Sequence, residues 1–248
     1  MRKRAEKRHL FSDWRDFARE YAIIVLGVLT ALFAQQAVQS FDWKQKVQAS
    51  LDDMDQELSN GDGPEAYVRL AIYQCLGDRL RQIRGLIESN DRAAVRQAIA
   101  RIDLPLRTYN SFAREAANSA DIAAHMPTDR MFEYRVVYSL MPELDGLHRK
   151  ELDDLAQLRS LPGTGGPLNQ EEKRAVLGAT ENLILDNDRV KRASSFTLRH
   201  MRDLGVGINR AQLRYNFADV PVYDGCLTRQ IEPMIDLTPP TYPRQVKG

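Results

Sequence analysis

The longest feature of the hydropathy pattern is residues 21–41, a stretch without one charged side chain. Ile23, Ile24, Val25, Leu26, Val28, Leu29, Leu32 and Phe33 lie in it. At about 100° per residue they cover every face of a helix instead of one stripe. At about 1.5 Å per residue the stretch reaches roughly 30 Å, the thickness of a bilayer's hydrocarbon core. Together with Val38 these side chains favour membrane insertion by about 3 to 5 kcal/mol. Gln35 and Gln36 subtract from that, though less than they would at mid-membrane. Trp14, Phe17 and Tyr21 stand before the stretch and Phe41 and Trp43 after it, where interfacial aromatic belts belong. These features favour an uncleaved transmembrane helix. A soluble core helix fits less well, because its apolar residues would keep to one side. A cleaved signal peptide also fits less well, because Ala31, Ala34 and Ala37 are spaced by three and form no Ala-x-Ala site. Val38-Gln39-Ser40 is the nearest substitute.

Beyond residue 41 the pattern is helical with ordinary one-sided stripes. Val47, Leu51, Met54 and Leu58 continue the first helix outward, and Ser59-Asn60-Gly61-Asp62-Gly63-Pro64 predicts its end, with Pro64 in the first turn of the next. That next helix carries Val68, Ile72, Leu76, Leu80, Ile83 and Ile87. A shorter one follows over residues 91–102, capped by Asp91. Another opens at Asn110 or Ser111 and runs to His125, where Pro127 breaks it. Residues 128–161 read as a long helix kinked or broken at Pro142. Leu161-Pro-Gly-Thr-Gly-Gly-Pro-Leu168 is the plainest loop. Asn169 with Glu172 three residues on predicts a capping box opening a last long helix to about Leu204. Its stripe is Val176, Thr180, Leu183, Asn187, Val190, Ser194, Leu198 and Met201. From residue 205 to 248 five prolines predict an extended, irregular tail wrapped on the helices. The expected fold is therefore all-α: a cytoplasmic basic or amphipathic segment (1–20), a transmembrane helix (21–41), an antiparallel helical bundle (42–204) and a Pro-rich tail (205–248).

Composition alone suggests something else. A chain of 248 residues, 28% charged, 43% hydrophobic and of net charge +1, reads as a soluble globular protein. It is too apolar for full disorder and too charged for a polytopic transporter. Near-neutrality gives no reason to expect nucleic-acid binding. The balance is uneven, however. The first twenty residues hold seven basic and four acidic side chains and carry +3, which leaves −2 for the rest. Arg2, Lys3, Arg4, Lys7 and Arg8 precede the apolar stretch, so the positive-inside rule keeps the N-terminus cytoplasmic and exports the remainder, into the periplasm in a Gram-negative bacterium. The same cations suit anionic lipid headgroups. Leu10, Phe11, Trp14, Phe17, Ala18 and Tyr21 have the spacing of a short amphipathic helix lying on the inner headgroups, or of a helix that starts early and runs straight through.

The segment Arg19-Glu-Tyr-Ala-Ile-Ile-Val-Leu-Gly-Val-Leu-Thr-Ala-Leu32, followed by Gln35-Gln36 and Trp43-Lys44, resembles a group of bacterial single-pass membrane proteins with no known activity. These begin with a basic segment and an Ile-Val-Leu-Gly-Val-Leu-x-Ala-Leu helix, and step through Gln/Asn-Trp into an extracytoplasmic helical region. The likeness covers about the first 60 residues; Cys75 and Cys226 are placed like two cysteines of that group. It implies a topology and carries no catalytic residue.

Candidate chemistry is sparse. Cys75 and Cys226 are two buried thiols or, in an oxidising compartment, a disulfide closing about 150 residues and stabilising by about 2 to 4 kcal/mol. Gly163-Thr164-Gly165-Gly166 lacks the Gly-Lys-Ser/Thr end of a phosphate loop, and Leu161-Pro-Gly-Thr-Gly165 lacks the context of a sorting signal. Asp145, His148 and Glu151 share a helix face, but a di-metal bundle needs two Glu-x-x-His units, so a solvated polar face is expected there. No catalytic motif is found, and no metal or cofactor is expected. Gly27 and Ala31 offer a close-approach face, and Gln35 and Gln36 offer hydrogen bonds to a neighbouring helix; interfacial solvation of the glutamines is the alternative. The residues thus predict a non-enzymatic, membrane-anchored binding or scaffold protein, an accessory subunit or assembly factor contacting the lipid bilayer and another membrane protein. A homo-oligomer stays open. A periplasmic sensor or ligand-binding domain is the second reading, a hydrolase or metalloenzyme the third.

Overall fold

The computed structural model describes residues 6–102, 104, 107–160 and 166–213, with side chains from Trp14 onward except Arg15. Every regular element among these residues is helical. The chain divides into two compact units, Met1–Ala49 and Ser50–Gly248.

Helix α1 runs over Glu6–Glu57 without interruption, so the helix that starts early and continues is the one the backbone forms. Within the first unit its apolar residues are exposed: Ile24, Leu26 and Phe33 keep about two-thirds of their surface. Trp14, Phe17 and Tyr21 follow one another along one side, Trp14 tilted against Phe17 at 6.0 Å and Phe17 stacked on Tyr21 at 6.4 Å between ring centroids.

Residues 59–64 do not end a helix. Leu58–Asp62 form a π-helical turn that passes directly into α2, Gly63–Ser89. The Gly63 N–H reaches back five residues to the Leu58 carbonyl, and the flanking dihedrals remain helical. Pro64 has no N–H to give, and one wide turn absorbs that missing donor without reversing the chain. Gly63 is required here, since a β-carbon would lie 2.7 Å from the Leu58 carbonyl oxygen and 2.5 Å from the Met201 methyl.

Asp91 caps α3, Arg92–Ala100, by accepting from the Ala94 N–H. The helix expected to run to His125 is split into α4, Phe112–Ser119, and a 3₁₀ turn, Ile122–His125, because Asp121 adopts positive φ. Helix α5, Thr128–Arg159, carries Pro142 inside it and is not broken there. The proline lies on the exposed side while Tyr138, Met141 and Leu144 around it are buried. Helix α6, Gln170–Leu204, opens with the full Asn169/Glu172 capping box and closes on Gly205 at φ +77°.

Helix α6 runs antiparallel to both α2 and α5: Tyr73 meets Asp188 while Arg84 meets Glu181, and Glu133 meets His200 while Lys150 meets Asp186. Helices α2 and α5 are therefore parallel, a correction to a purely antiparallel arrangement. Residues 90–127 carry the chain back from one to the other. Leu80 and Ile83 of α2, Val95 of α3, Leu155 of α5 and Leu183 of α6 share one apolar cluster. Each such side chain, fully buried, stabilises by about 1.5 to 3 kcal/mol. Towards the π-turn the packing changes character, to Met54, Leu58, Tyr134 and Tyr138, and polar groups enter the interior.

Candidate functional site

Two features stand out. The first is the uncharged part of α1, whose most apolar window is entirely unburied and is long and apolar enough to cross a membrane. The second is a buried polar cluster where the π-turn, the start of α2, residues 107–111 and the middle of α5 meet.

The cluster is built from residues that stand on apolar stripes. Arg69 follows Val68 on the inner side of α2, and only 2% of its side chain is exposed. Its Nη2 donates to Glu151 Oε1 of α5, a carboxylate 1% exposed. Glu151 in turn faces His148 Nδ1 at 3.8 Å, one turn earlier on the same helix. The His148 Nε2 accepts from the Arg107 backbone N–H at 3.1 Å, which leaves Nδ1 turned towards Glu151. The Arg107 guanidinium reaches Glu65 at 3.6 Å and its backbone carbonyl at 3.4 Å. Beside it, burial pushes the Tyr109 phenol up to about 12.

Charge and burial compete throughout. Burial raises the Glu151 carboxyl, but the Arg69 guanidinium, His148 and Arg107 outweigh it and hold Glu151 below the ordinary carboxylate range. Burial also pulls Arg69 below its usual value, against the attraction of Glu151. Glu65 is raised by burial, with Arg107 and His148 opposing. Among the described residues Arg69 Nε and Nη1 and Glu151 Oε2 have no hydrogen-bond partner.

A second polar group adjoins the first at the π-turn. Asp62 is fully buried; its Oδ1 accepts from the Asn110 N–H at 2.9 Å, and its Oδ2 has no partner among the described residues. Burial, then the neighbouring Glu57 and Glu65, push Asp62 up to about 7, against the Asn110 bond. The Tyr134 hydroxyl donates to Asp55 and receives from Arg130 at 3.0 Å. Tyr138 donates to the Met54 carbonyl at 3.4 Å.

The expectation of a solvated Asp145/His148/Glu151 face is overturned. Asp145 is partly exposed and pairs with Arg149 at 2.7 Å, while His148 and Glu151 are buried. The signal was in the chain: Leu144, His148, Glu151, Leu155 and Leu158 form one inward stripe, and a charge on such a stripe needs a buried partner. No local pattern in the sequence marks Arg69, Arg107 or Asp62. No group of three His, Cys, Asp or Glu suited to a metal occurs among the described residues. A pocket of about 430 Å³ lies away from the cluster, between Asn90, Arg92, Arg96 and Pro167. Glu172 holds Arg92 there through both oxygens, at 2.6 and 2.9 Å.

The other sequence-derived candidates fall as follows. Trp14, Tyr21 and Phe41 are exposed, whereas Trp43 is partly buried with Lys46 5.0 Å above its ring. Gly27, Ala31, Gln35 and Gln36 lie on the exposed stretch of α1, and nothing lies within 4 Å of a β-carbon built on Gly27. Lys7 and Arg8 fall in the helical backbone without described side chains, and Arg2, Lys3, Arg4 and Cys226 lie outside the described residues, as do most of the loop at 161–168 and most of the tail. Cys75 is half-buried on α2, and no described cysteine is free.

Comparison with protein-family models, with curated proteins and with solved structures finds no match to this chain.

Proposed function

We propose that this chain is a single-pass protein of the bacterial inner membrane, anchored by residues 21–41, whose exported helices bind or scaffold another membrane protein as an accessory subunit or assembly factor. The observation that carries the reading is the apolar surface of α1: a window of mean hydropathy 1.9 is unburied among the described residues. Leaving some eight large apolar side chains in water is unfavourable by about 1.5 to 3 kcal/mol each, so a bilayer is the environment that suits them. The basic residues before the helix support a cytoplasmic N-terminus and a periplasmic remainder. The resemblance to single-pass bacterial membrane proteins points the same way. Gly27 and Ala31 then provide the close-approach face, and Gln35 and Gln36 the hydrogen bonds, for a neighbouring helix. Binding rather than catalysis is the proposed work, with Cys75 and Cys226 bridged in the oxidising compartment; that no described cysteine is free supports the bridge.

Alkaline extraction of membranes tests the anchor, and protease treatment of spheroplasts tests the side. Retention in the pellet with loss of the exported helices to protease is expected. Release into the supernatant, or full protection, overturns the topology. Purification in mild detergent is expected to recover a stoichiometric membrane partner, and recovery only as a monomer overturns the scaffold role.

A further inference from the structure

The π-turn concentrates unusual features within a few residues. It lies on the path from the apolar helix to α2, and it holds a fully buried carboxyl group with one oxygen unpartnered among the described residues. Each element against it adds a constraint. Helix α1 presents Glu57, whose Oε2 accepts from the Ala113 N–H at 3.0 Å. Helix α2 presents Glu65, itself paired with Arg107. Residues 107–111 present the Asn110 N–H, and α5 presents the Tyr138 phenol, which burial and then the charges of Glu57 and Asp62 keep from ionising. Helix α6 brings the apolar Met201 against Gly63, and beyond it Asn209 donates to the Ser59 carbonyl at 3.0 Å and to Asn60 at 2.8 Å. The groups facing Asp62 directly are thus two acids and a phenol; Arg107 is one step removed, behind Glu65.

We infer that the π-turn is a proton-controlled latch, closed on residues 107–111 while Asp62 is neutral and opened to water when Asp62 ionises. A neutral carboxyl tolerates an apolar interior with one accepted hydrogen bond. An ionised one has two oxygens to satisfy, faces Glu57 and Glu65, and finds a single backbone donor. Water reaches the second oxygen when the Asn110 segment separates from the turn. That separation also pulls on Arg107, whose backbone N–H holds His148 and whose guanidinium holds Glu65. The wide turn suits such a movement, because π-turns interrupt the regular ladder of backbone hydrogen bonds. Burial pushes the Asp62 carboxyl to about 7, which puts the change near neutrality. The latch belongs to the second unit alone and does not depend on the membrane reading.

Hydrogen exchange of the full-length protein in detergent, read by mass spectrometry and corrected for intrinsic rates, tests it. Between about pH 6 and about pH 8, peptides covering 57–66 and 107–113 are expected to lose protection on the order of tenfold, while the middle of α6 keeps its own. Asp62→Asn keeps an acceptor for Asn110 and cannot ionise, so its profile is expected to be flat. Equal protection at both pH values in the natural chain overturns the latch, and so does an undiminished loss in Asp62→Asn. Should that variant not fold, Glu57→Gln with Glu65→Gln serves instead. Removing the two facing acids makes Asp62 easier to ionise and moves the loss of protection to lower pH, and an unmoved transition overturns the inference.

Discussion

Helix α1 before Ala49 and helix α6 are both long and both rich in apolar residues, yet they meet their surroundings in opposite ways. In α6 the apolar and small positions form one stripe, and Val176, Leu183, Val190 and Met201 are each about 2% exposed or less. In α1 the apolar positions wrap around the axis, so no single neighbour could cover them, and Leu26 and Phe33 are each 67% exposed. The angular distribution of side chains, more than their number, decides whether a helix packs within its own chain or needs another medium. The polar groups show the complementary behaviour. The α1 span excludes charge for 21 residues, whereas the packed unit takes Arg69, Glu151 and Asp62 fully inside. A bilayer supplies no partner for such groups; helices that fold against one another supply most of them.

The largest effect that separates the two regions is expected from the buried pair. Glu151→Ala leaves Arg69 charged and without an acid in the interior, and should lower the unfolding free energy of the packed helices by about 3 to 5 kcal/mol. Replacing both members, Arg69→Met with Glu151→Leu, should recover most of that loss. Denaturant titration of the full chain in detergent, followed by circular dichroism, measures both. Tolerance of Glu151→Ala with a loss under about 1 kcal/mol would mean that the pair is not desolvated as described.

On the other side of the comparison, Leu32→Arg places a charge in the middle of the uncharged span. Its expected cost is about 2.5 to 3.5 kcal/mol of membrane insertion, with the unfolding midpoint of the packed helices unchanged. Membrane fractionation and thermal unfolding in detergent read the two halves separately. A fall in the midpoint would show that the span supports the packed unit after all.

The pH dependence has two opposed contributions. Glu151 is held below its ordinary range, so the stability it adds is present above that range and is lost as pH falls through its depressed value. Asp62 is raised to about 7, so its contribution is full under acid conditions and is lost as pH rises from the ordinary carboxylate range through about 7. Asp62→Asn should therefore match the natural chain near pH 4 and exceed it by about 1 to 3 kcal/mol near pH 8. Thermal melts across that range check the sign, and a variant less stable at the alkaline end would reverse it. The smallest effect is at the α6 cap. Asn169→Ala removes the acceptor for the Glu172 N–H, and about 1 kcal/mol should follow, at any pH between about 6 and about 8.

Much of the helical layout was legible because helix signals act within a turn or two. Asn169 and Glu172 announced the α6 start, Asp91 announced α3, and the Leu80–Ile83–Ile87 spacing announced the inner side of α2. The same short reach explains the misses. Glycine, asparagine and proline at 59–64 carry the local signature of a helix end, but the Gly63 N–H bonds to the Leu58 carbonyl and the backbone stays helical through a π-turn, with Met201 against Gly63. Pro142 reads locally as a kink or a break, and α5 runs through it unbroken with buried neighbours on both sides. His148 and Glu151 looked solvated because nothing within a turn of them named Arg107 or Arg69.

By itself the sequence determined where helices form, where they are capped and which segment is apolar on every face. Those properties depend on side-chain period and on hydrogen bonds between residues three or four apart. Tertiary structure alone decided that α2 and α5 lie parallel and that the 59–64 segment continues as a helix. It also decided that Arg69 and Glu151, 82 residues apart in the chain, share one buried contact. A charge enters the interior only when its partner arrives with it, and no local pattern can say which distant segment will bring that partner.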